Sequence, residues 1–520
     1  MLSKDSELAV GMGHSSIRHL VRGAARAGVR LWVEGDRLCC KVPKAGMPDE
    51  LRVALQAQRD GIIGELSKPV FRKRADRAAI IRYPAFWLDW WLELQTNIRT
   101  RHGAHSVMRI TGGVSLERIV AGLDALACRH DLLRASVWCE DGVPSLRFEQ
   151  RQSASVDVVD LSSEPVVDRA LREKDCIYRA IHAPFSEGQL WRATVLEISG
   201  EEHVVAMVIH HFVGDGFTCQ ILESELIAYL GEQSVPQLEA EERPLQYSDY
   251  LLAMSEWLSE PGLEYRVAFW KEKMRRAPPV HFPSASRESV HSDIQADSLL
   301  IQVSAPAREA VVRTAADLQI PLPVVLLAAK FAALARALES TDLVVAVIHW
   351  GRDEPALLEL VGFTVNCIPI RMSVRPEMSY VDLLTRVNDS YILARDYQIP
   401  WALLMRSFSE IGASVPVPLF NYIYEEKPGS GDPSSSKPAS HLEIERLRVP
   451  APDDTDAITV DWKTQEFTVL DNGKEFLGIV KYLPFRYDTL AIREFADEFL
   501  RCLDAIGKDP KQSIESKKSV

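Results

Sequence analysis

The pattern of apolar and polar positions divides the chain into a small amino-terminal unit, residues 1–70, and a long remainder of alternating strands and helices. In the remainder, residues 204–209 form an unbroken apolar run that predicts a buried strand, and residues 217–230 carry apolar side chains at helical spacing. The same patterns predict three more helices and one more strand, over residues 116–130, 305–318, 323–338 and 342–349, respectively. Alternation of this kind indicates an α/β or α+β fold.

The first 70 residues have the pattern of a β-hairpin between two helices. Residues 29–34 and 37–42 alternate in character on either side of a Gly-Asp pair, which favours a tight turn. A basic helix is predicted over residues 15–27 and a second helix over residues 48–66. Such an αββα unit has little core of its own, and its hairpin exposes a strand edge that can pair with an extended peptide.

Composition narrows the class of protein. With 520 residues, of which 47% are hydrophobic, more than one domain and a large core are expected. The net charge of -13 argues against a nucleic-acid partner, because phosphate contacts need basic patches. No apolar run is long enough to span a bilayer, the amino terminus lacks the apolar core of a signal peptide, and the eight cysteines include no CxxC pair. These features predict a soluble, cytoplasmic protein without a membrane association or a structural metal.

The most informative residues lie at the junction between the predicted strand 204–209 and the helix that follows it. The sequence there begins with His210 and His211 and ends, after three residues, with Asp215 and Gly216. Imidazole can both accept and donate a proton near neutral pH, and an Asp-Gly pair suits a tight loop braced by a carboxylate. Two core histidines beside an ordinary turn are the alternative, but the full pattern at this junction favours a catalytic role.

This HHxxxDG spacing resembles the active-site motif of the condensation domains of nonribosomal peptide synthetases, within the chloramphenicol-acetyltransferase-like superfamily. Further stretches between about residues 80 and 425 resemble motifs of that family in the right order. They are RHDLLR at 129–134, YSDY at 247–250, GR at 351–352, VGFTVN at 361–366 and DYQIPW at 396–401. Residues 83–87 and 416–421 depart from the family pattern, which fits a freestanding enzyme better than an ordinary peptide-chain module.

The resemblance implies two acetyltransferase-like lobes in a V, over about residues 78–245 and 246–520, with the active site in a tunnel between them. The donor would be an acyl thioester on the phosphopantetheine arm of a separate acyl or peptidyl carrier protein, so that the chain itself binds no cofactor. Asp215 would pair with Arg352 across the lobes and brace the loop. Asn366 is equally well explained as a tunnel contact to the acceptor or as a satisfied core amide.

The resemblance also assigns roles to the other residues of the motif. His211 would accept the proton of the nucleophile, or orient the nucleophile and stabilise the charged intermediate. His210 would point into the fold and hold the loop. Gly216, at the start of a helix, would offer a backbone N–H to the oxyanion.

Residues 28–38 resemble the β-hairpin docking domains of the tubulysin-synthetase amino-terminal type. The resemblance implies a docking domain over residues 1–70, joined by a charged linker at 71–77, whose hairpin edge captures a short linear motif at the carboxyl terminus of an upstream carrier protein. Five residues are expected to contact that tail: Arg30, Trp32, Arg37, Lys41 and Lys44. A packing appendage without a partner is the alternative.

The combined interpretation is a freestanding condensation acyltransferase that releases a polyketide or hybrid chain as an ester or amide of a free small molecule, with a slight preference for the ester. A comparable enzyme is the chain-releasing condensation enzyme of enacyloxin biosynthesis. An acceptor on a second carrier protein is the first alternative, and a non-catalytic recruitment module is the second. A plant-type coenzyme-A-dependent acyltransferase would carry a DFGWG-like motif near its carboxyl end, which the sequence lacks. An epimerase-like member stays possible.

Overall fold

The computed structural model describes most of the chain. The described residues are 29–34, 37–42, 46–66, 71–74, 80–83, 103–140, 143–149, 154–231, 243–258, 262–280, 282–283, 297–410, 418–424, 442–447, 465–484 and 486–514, with four single positions between 17 and 24. Lys44, residues 84–87 and most of the predicted helix 15–27 lie outside these ranges.

The amino-terminal unit is a hairpin packed against two helices. Strand β1 (Arg30–Glu34) pairs antiparallel with β2 (Arg37–Lys41), which confirms the predicted hairpin. The prediction of a single helix over 48–66 is wrong in one respect. The segment forms two helices, α1 (Asp49–Ala57) and α2 (Arg59–Leu66), because the backbone at Gln58 leaves the helical range. The unit has a core of four buried apolar residues, separate from the main core: Ala24, Val29, Leu55 and Ile62.

The first lobe contains two sheets. Its strands are β3 (Ile80–Arg82), β4 (Gly103–Thr111), β5 (Ala135–Glu140), β6 (Val143–Phe148), β7 (Val156–Asp160), β8 (Trp191–Ser199) and β9 (Glu202–His210), joined by β14 (Glu443–Arg446) from later in the sequence. A five-stranded sheet has the order β14-β4-β9-β8-β7, and a three-stranded sheet has the order β3-β6-β5. The helices of this lobe are α3 (Leu116–Arg129), α4 (Val166–His182) and α5 (Gly216–Gly231).

The second lobe is built on a six-stranded sheet. Its strands are β10 (Asp297–Val303), β11 (Asp342–His349), β12 (Asn366–Ser373), β13 (Leu419–Tyr424), β15 (Glu466–Asp471) and β16 (Phe476–Tyr482), in the order β10-β16-β15-β13-β11-β12. Its helices are α6 (Tyr247–Leu258), α7 (Gly262–Lys273), α8 (Ala305–Asp317), α9 (Leu322–Ala337), α10 (Tyr380–Asp396), α11 (Trp401–Glu410) and α12 (Thr489–Lys508). Helix α9 is buried on every side along its middle, as its almost wholly apolar sequence requires.

Buried polar contacts and a shared core join the two lobes. The main cluster of buried apolar side chains extends through both. Asp131, in the RHDLLR stretch, accepts hydrogen bonds from the backbone N–H of Tyr247 at 3.1 Å and from the Ser248 hydroxyl, and so caps the first turn of α6. The hydroxyls of Tyr83 and Tyr247 lie 2.7 Å apart, and Tyr83 also donates to the carbonyl oxygen of Phe212 at 3.0 Å. These contacts lead directly to the loop that carries the histidine pair.

Strand β14 crosses from the second half of the sequence to the first lobe. It pairs antiparallel with β4, at the edge of the five-stranded sheet. Its last residue, Arg446, donates to the buried carboxylate of Glu223 on α5 at 2.6 Å. Ser106 on β4 donates to the same carboxylate at 2.7 Å. The crossing strand is therefore anchored on the helix that follows the histidine motif.

Replacing Arg446 with methionine should lower the free energy of unfolding by about 2–4 kcal/mol, because the buried Glu223 carboxylate loses its counter-charge. Arg446 itself is about a third exposed, which keeps the cost below that of a fully buried pair. Urea unfolding of the two chains measures the difference. The matched control is Arg179→Met, since Arg179 pairs with Asp175 at the surface and should cost less than about 1 kcal/mol. Equal costs for the two variants would contradict the anchoring role.

Two classes of site are absent from the described residues. Among them, no single helix combines the length and apolarity needed to cross a bilayer. Helices α8 and α9 together have a sufficient length and apolar composition, but the chain bends by 111° between them. Within the same ranges, no three His, Cys, Asp or Glu side chains cluster closely enough to hold a metal ion.

Candidate active site

The histidine pair lies where β9 ends and the loop to α5 begins, as the apolar pattern predicts. His210 is the last residue of the strand, and its carbonyl oxygen accepts hydrogen bonds from the N–H groups of Val213 and Gly214 at 3.0 and 3.1 Å. A Cβ at Gly214 would lie 2.5 Å from the Ile209 side chain, so the loop requires glycine there. This turn is tight enough to fix both histidine backbones.

The ring of His211 is oriented by the same loop. Its Nδ1 lies 2.9 Å from the carbonyl oxygen of Gly214. A carbonyl oxygen can only accept, so Nδ1 carries the proton and the neutral ring has its lone pair on Nε2. The ring also packs edge-on against Phe363 from the second lobe, with 5.8 Å between the ring centroids. His211 is thus held in the tautomer that leaves the lone pair on Nε2.

His210 has a different environment from its neighbour. Its Nδ1 accepts the N–H of Phe212 at 3.1 Å, and its ring packs on Phe185. Burial lowers the pKa of His210 to about 4, and the nearby His211 and Arg192 act in the same direction. His210 is therefore neutral at pH 7 and supports the loop through its Nδ1 lone pair.

Acid should destabilise the native chain partly through His210. The folded ring has a pKa of about 4, whereas the unfolded ring titrates near 6.5, so the unfolded chain binds more protons between these values. The free energy of unfolding therefore falls as the pH drops from about 6.5 to about 4, by up to about 3 kcal/mol from this group. Urea unfolding at pH 7 and pH 4 should show a smaller loss for His210→Gln than for the native chain. An equal loss would contradict this assignment.

Asp215 is buried at the amino terminus of α5 and braces the loop. One of its carboxylate oxygens accepts the N–H and the hydroxyl of Thr218 at 2.8 and 2.9 Å, which makes Asp215 the N-cap of the helix. The other accepts the N–H of Thr364, from the second lobe, at 3.2 Å. Arg352 Nη2 lies 3.4 Å from the first oxygen, and both side chains are almost wholly buried. The structure thus brings Asp215 and Arg352 together across the lobes.

Arg352 is itself tied to three backbone carbonyls of the second lobe. Its Nη1 donates to Leu357 and Leu360 at 2.6 Å each, and its Nη2 donates to Gly362 at 3.0 Å. Burial lowers the pKa of Arg352, and Asp215 opposes that shift. The preceding Gly351 has φ +70°, and a Cβ there would lie 2.0 Å from the carbonyl oxygen of Thr364. The Gly-Arg pair of the motif therefore forms part of the brace.

Gly216 is the first residue of α5, so its N–H has no partner within the helix. A Cβ at this position would lie 3.6 Å from the Trp350 ring. Sequence reasoning missed that ring, and it also missed Thr218 and Thr364. Short hydroxyl residues beside a motif carry no periodic signal that could have identified them.

The Asn366 side chain is hydrogen-bonded to the backbone of a neighbouring segment. Its Nδ2 donates to the carbonyl oxygen of Ile399 at 3.0 Å, and its Oδ1 accepts the N–H of Trp401 at 3.0 Å. It also borders a cavity whose lining includes aromatic and charged side chains, among them Phe71, Tyr250, Trp257, Asp353, Glu354 and Arg395. The bonds favour a structural role, and a contact to the acceptor stays a prediction.

The expected docking residues fall together on the hairpin where the structure describes them. Trp32, Arg37 and Lys41 share one face, because alternate residues and cross-strand partners point the same way, and Trp32 is paired with Cys39. Arg37 and Lys41 are exposed. Arg30 pairs with Lys41 through the backbone. Lys44 lies outside the described residues, and contact of any of these with a partner stays a prediction.

Comparison with known proteins decides the family. Residues 90–520 match the condensation domain family, and residues 17–67 match the TubC N-terminal docking domain. The chain belongs to the condensation domain family. Its HHxxxDG loop is that of a family of acyl and peptidyl transferases, and its hairpin unit is a docking domain.

The curated relatives of this condensation domain include large peptide and lipopeptide synthetases. It is 25% identical over 441 residues to the isonitrile lipopeptide synthase of Mycobacterium tuberculosis, an alignment of 82% of this chain but 17% of that protein. It is 24% identical over 441 residues to phosphinothricin tripeptide synthetase PhsC of Streptomyces viridochromogenes, which covers 81% of this chain and 38% of the relative. The chain thus spans only a small part of the relatives it matches.

Solved structures confirm the predicted fold class. The condensation domain that mediates chain release from the enacyloxin polyketide synthase superposes with a TM-score of 0.65 at 20% identity, over 96% of this chain and 98% of that one. The EpoB cyclization-docking bidomain of Sorangium cellulosum gives a TM-score of 0.63 at 13% identity, over 95% and 99% of the two chains. The architecture is the two-lobed acetyltransferase-like fold with a docking domain in front.

Proposed function

We propose that this condensation domain takes an acyl chain from the phosphopantetheine thioester of a separate carrier protein and transfers it to the hydroxyl or amine of a free small molecule, releasing the chain as an ester or amide. The observation that carries the proposal is the orientation of His211, whose Nδ1–H···O bond to Gly214 leaves Nε2 as the basic nitrogen. The likeness to the chain-releasing domain of the enacyloxin synthase supports the release step.

The reaction follows from these positions. His211 Nε2 accepts the proton of the acceptor while the acceptor oxygen or nitrogen bonds to the thioester carbonyl carbon. The oxyanion that forms is stabilised by the N–H of Gly216 and by the positive end of α5. Its collapse restores the C=O bond and breaks the C–S bond, and the departing thiolate takes the proton back from Nε2. The Gly214 carbonyl oxygen stabilises the transient imidazolium through the Nδ1–H bond.

The docking domain has a separate task in this proposal. Residues 1–70 recruit the carrier, residues 71–77 link them to the lobes, and the lobes span residues 78–245 and 246–520. The hairpin edge accepts the carboxyl-terminal tail of the carrier by strand addition. The exposed Arg37 and Lys41 suit a tail that is acidic.

An acceptor carried by a second carrier protein is the alternative, and the peptide synthetases among the relatives favour it. The chain also resembles the X-domain of teicoplanin biosynthesis, which is found in complex with OxyB, and this likeness favours a recruitment function as the second alternative. The intact HHxxxDG loop and its oriented base favour catalysis over recruitment.

A panel of acceptors distinguishes these functions. An acyl-loaded carrier is mixed with the enzyme and with free alcohols, free amines or an aminoacyl-loaded second carrier, and the products are identified by mass spectrometry. Ester or amide formation with a free acceptor supports the proposal. Transfer only to the second carrier overturns release in favour of condensation, and stable binding without transfer overturns both in favour of recruitment.

A further inference from the structure

The docking domain is held against the second lobe by a buried arginine. Arg266, on α7, is 1% exposed, and its Nη2 donates to the carbonyl oxygen of Gly64 at 2.8 Å. Gly64 lies in the last turn of α2, where carbonyl groups lack partners within the helix and the helix dipole is negative. A guanidinium is therefore well suited to this helix end. The Tyr397 hydroxyl makes a second, longer contact, 3.5 Å from the carbonyl oxygen of Asp60.

The linker adds to the same interface. Phe71 stacks on Tyr250 of α6 with 5.4 Å between the ring centroids. The N–H of Arg74 donates to Asp249 at 3.1 Å, and its guanidinium pairs with Glu256 at 2.7 Å. The docking domain thus contacts Arg266 of α7 and Tyr397, and the linker that follows it packs on α6. These contacts are more than a flexible tether would make.

Arg266 also holds the loop that follows α10. Its Nη1 donates to the carbonyl oxygens of Asp396 and Gln398, the latter at 3.3 Å. Its guanidinium lies 5.7 Å from the centre of the Trp257 ring, which adds a cation–π contact. The Arg266 side chain therefore contacts both α2 of the docking domain and the loop after α10, and fixes their positions relative to each other.

Hydrogen bonds connect that loop to the active site. Gln398 donates to Asp353 at 2.8 Å, and Asn366 bonds to Ile399 and Trp401 at 3.0 Å each. Asn366 begins β12, two residues after Thr364, whose N–H donates to Asp215. Asp215 caps α5 directly after the histidine loop. Hydrogen bonds joined by short stretches of backbone thus connect α2 of the docking domain to the loop of His211.

We propose that Arg266 is a positioning residue that makes the docking domain part of the acyl-transfer site, so that turnover depends on this contact even when the donor is not a carrier protein. This inference rests on the proposed function. A docking domain that served only to capture a tail would affect carrier-bound donors alone. A docking domain that positions the site also affects the turnover of a small thioester.

The test compares a carrier-free donor, the acyl chain as its N-acetylcysteamine thioester, with the carrier-bound donor in the full chain. Arg266→Met should lower kcat with both donors by about 5- to 150-fold, if the coupling is as strong as coupling between binding sites usually is. Arg266→Lys, which keeps the charge but not the forked geometry, should give an intermediate kcat. The matched control is Arg308→Met, since Arg308 makes a buried ion pair with Asp471 elsewhere in the second lobe and should lose stability without losing kcat.

A kcat unchanged in Arg266→Met at temperatures where it is folded would overturn the inference, and so would an equal loss in Arg308→Met. Amide hydrogen exchange gives a second readout that needs no turnover. Exchange over residues 364–366 and 397–401 should rise in Arg266→Met, and in Arg266→Lys to a smaller extent, whereas native-like exchange there would also overturn the inference. Failure of the native chain to turn over either donor would instead count against the proposed function.

Discussion

Replacing His211 with alanine should lower the rate of acyl transfer to an alcohol by about 10²–10⁴-fold, the usual contribution of a positioned general base. The reason is the Nδ1–H···O bond to Gly214, which places the ring proton on Nδ1 and leaves Nε2 as the basic nitrogen. The loss should be smaller with an amine, because a neutral amine is nucleophilic without proton removal. Single-turnover kinetics with matched alcohol and amine acceptors measure the two losses side by side.

The control for this variant is its stability, since His211 is only partly buried and its removal leaves the Asp215 brace intact. The melting temperature should stay close to that of the native chain. A loss of less than about tenfold with the alcohol would mean that His211 is not the base. Equal losses with alcohol and amine would assign His211 to orientation or oxyanion stabilisation instead.

Separating Asp215 from Arg352 should strongly destabilise the native chain, because both side chains are almost wholly buried. Arg352→Met leaves the Asp215 carboxylate buried without its cation, and Asp215→Ala does the same to Arg352; each should cost about 3–5 kcal/mol. Each change also removes bonds besides the ion pair: Asp215→Ala removes the cap of α5 and the bond to Thr364, and Arg352→Met removes three bonds to backbone carbonyls. Urea unfolding monitored by circular dichroism measures both.

The double variant Asp215→Ala/Arg352→Met decides whether the pair acts as a unit. Because it leaves no unpaired charge, its cost should be clearly less than the sum of the two single costs. Additive costs would show that each residue acts through its own backbone contacts. Acyl transfer should fall in all three variants, since the capped start of α5 sets the positions of Gly216 and the histidine loop.

The elements that position the site could be predicted because their patterns are local. The apolar run before His210, the helical spacing after Gly216 and the alternation in the hairpin each correspond to an element of the structure. The contact between Asp215 and Arg352 was predicted from the family resemblance alone, because 137 residues separate the partners and no periodicity connects them.

Other features of the site have no local signal. Strand β14 is four residues long and pairs with a strand far earlier in the chain, so nothing in its own sequence specifies its partner. The tautomer of His211 depends on a carbonyl oxygen, and every residue has one. Arg266 looks like any arginine on a charged helix, and its burial depends on how α2 packs against α7. The break at Gln58 coincides with neither proline nor glycine, so no breaker residue marks it in the sequence.

The central claim is His211-dependent transfer from a carrier thioester to a free acceptor, and intact-protein mass spectrometry of the acyl-loaded carrier tests it most directly. With a free alcohol present, the native chain should remove the acyl mass from the carrier and produce the corresponding ester, while His211→Ala should leave the carrier loaded over the same time. Equal unloading by the two chains, or unloading to the free acid alone, would contradict the account.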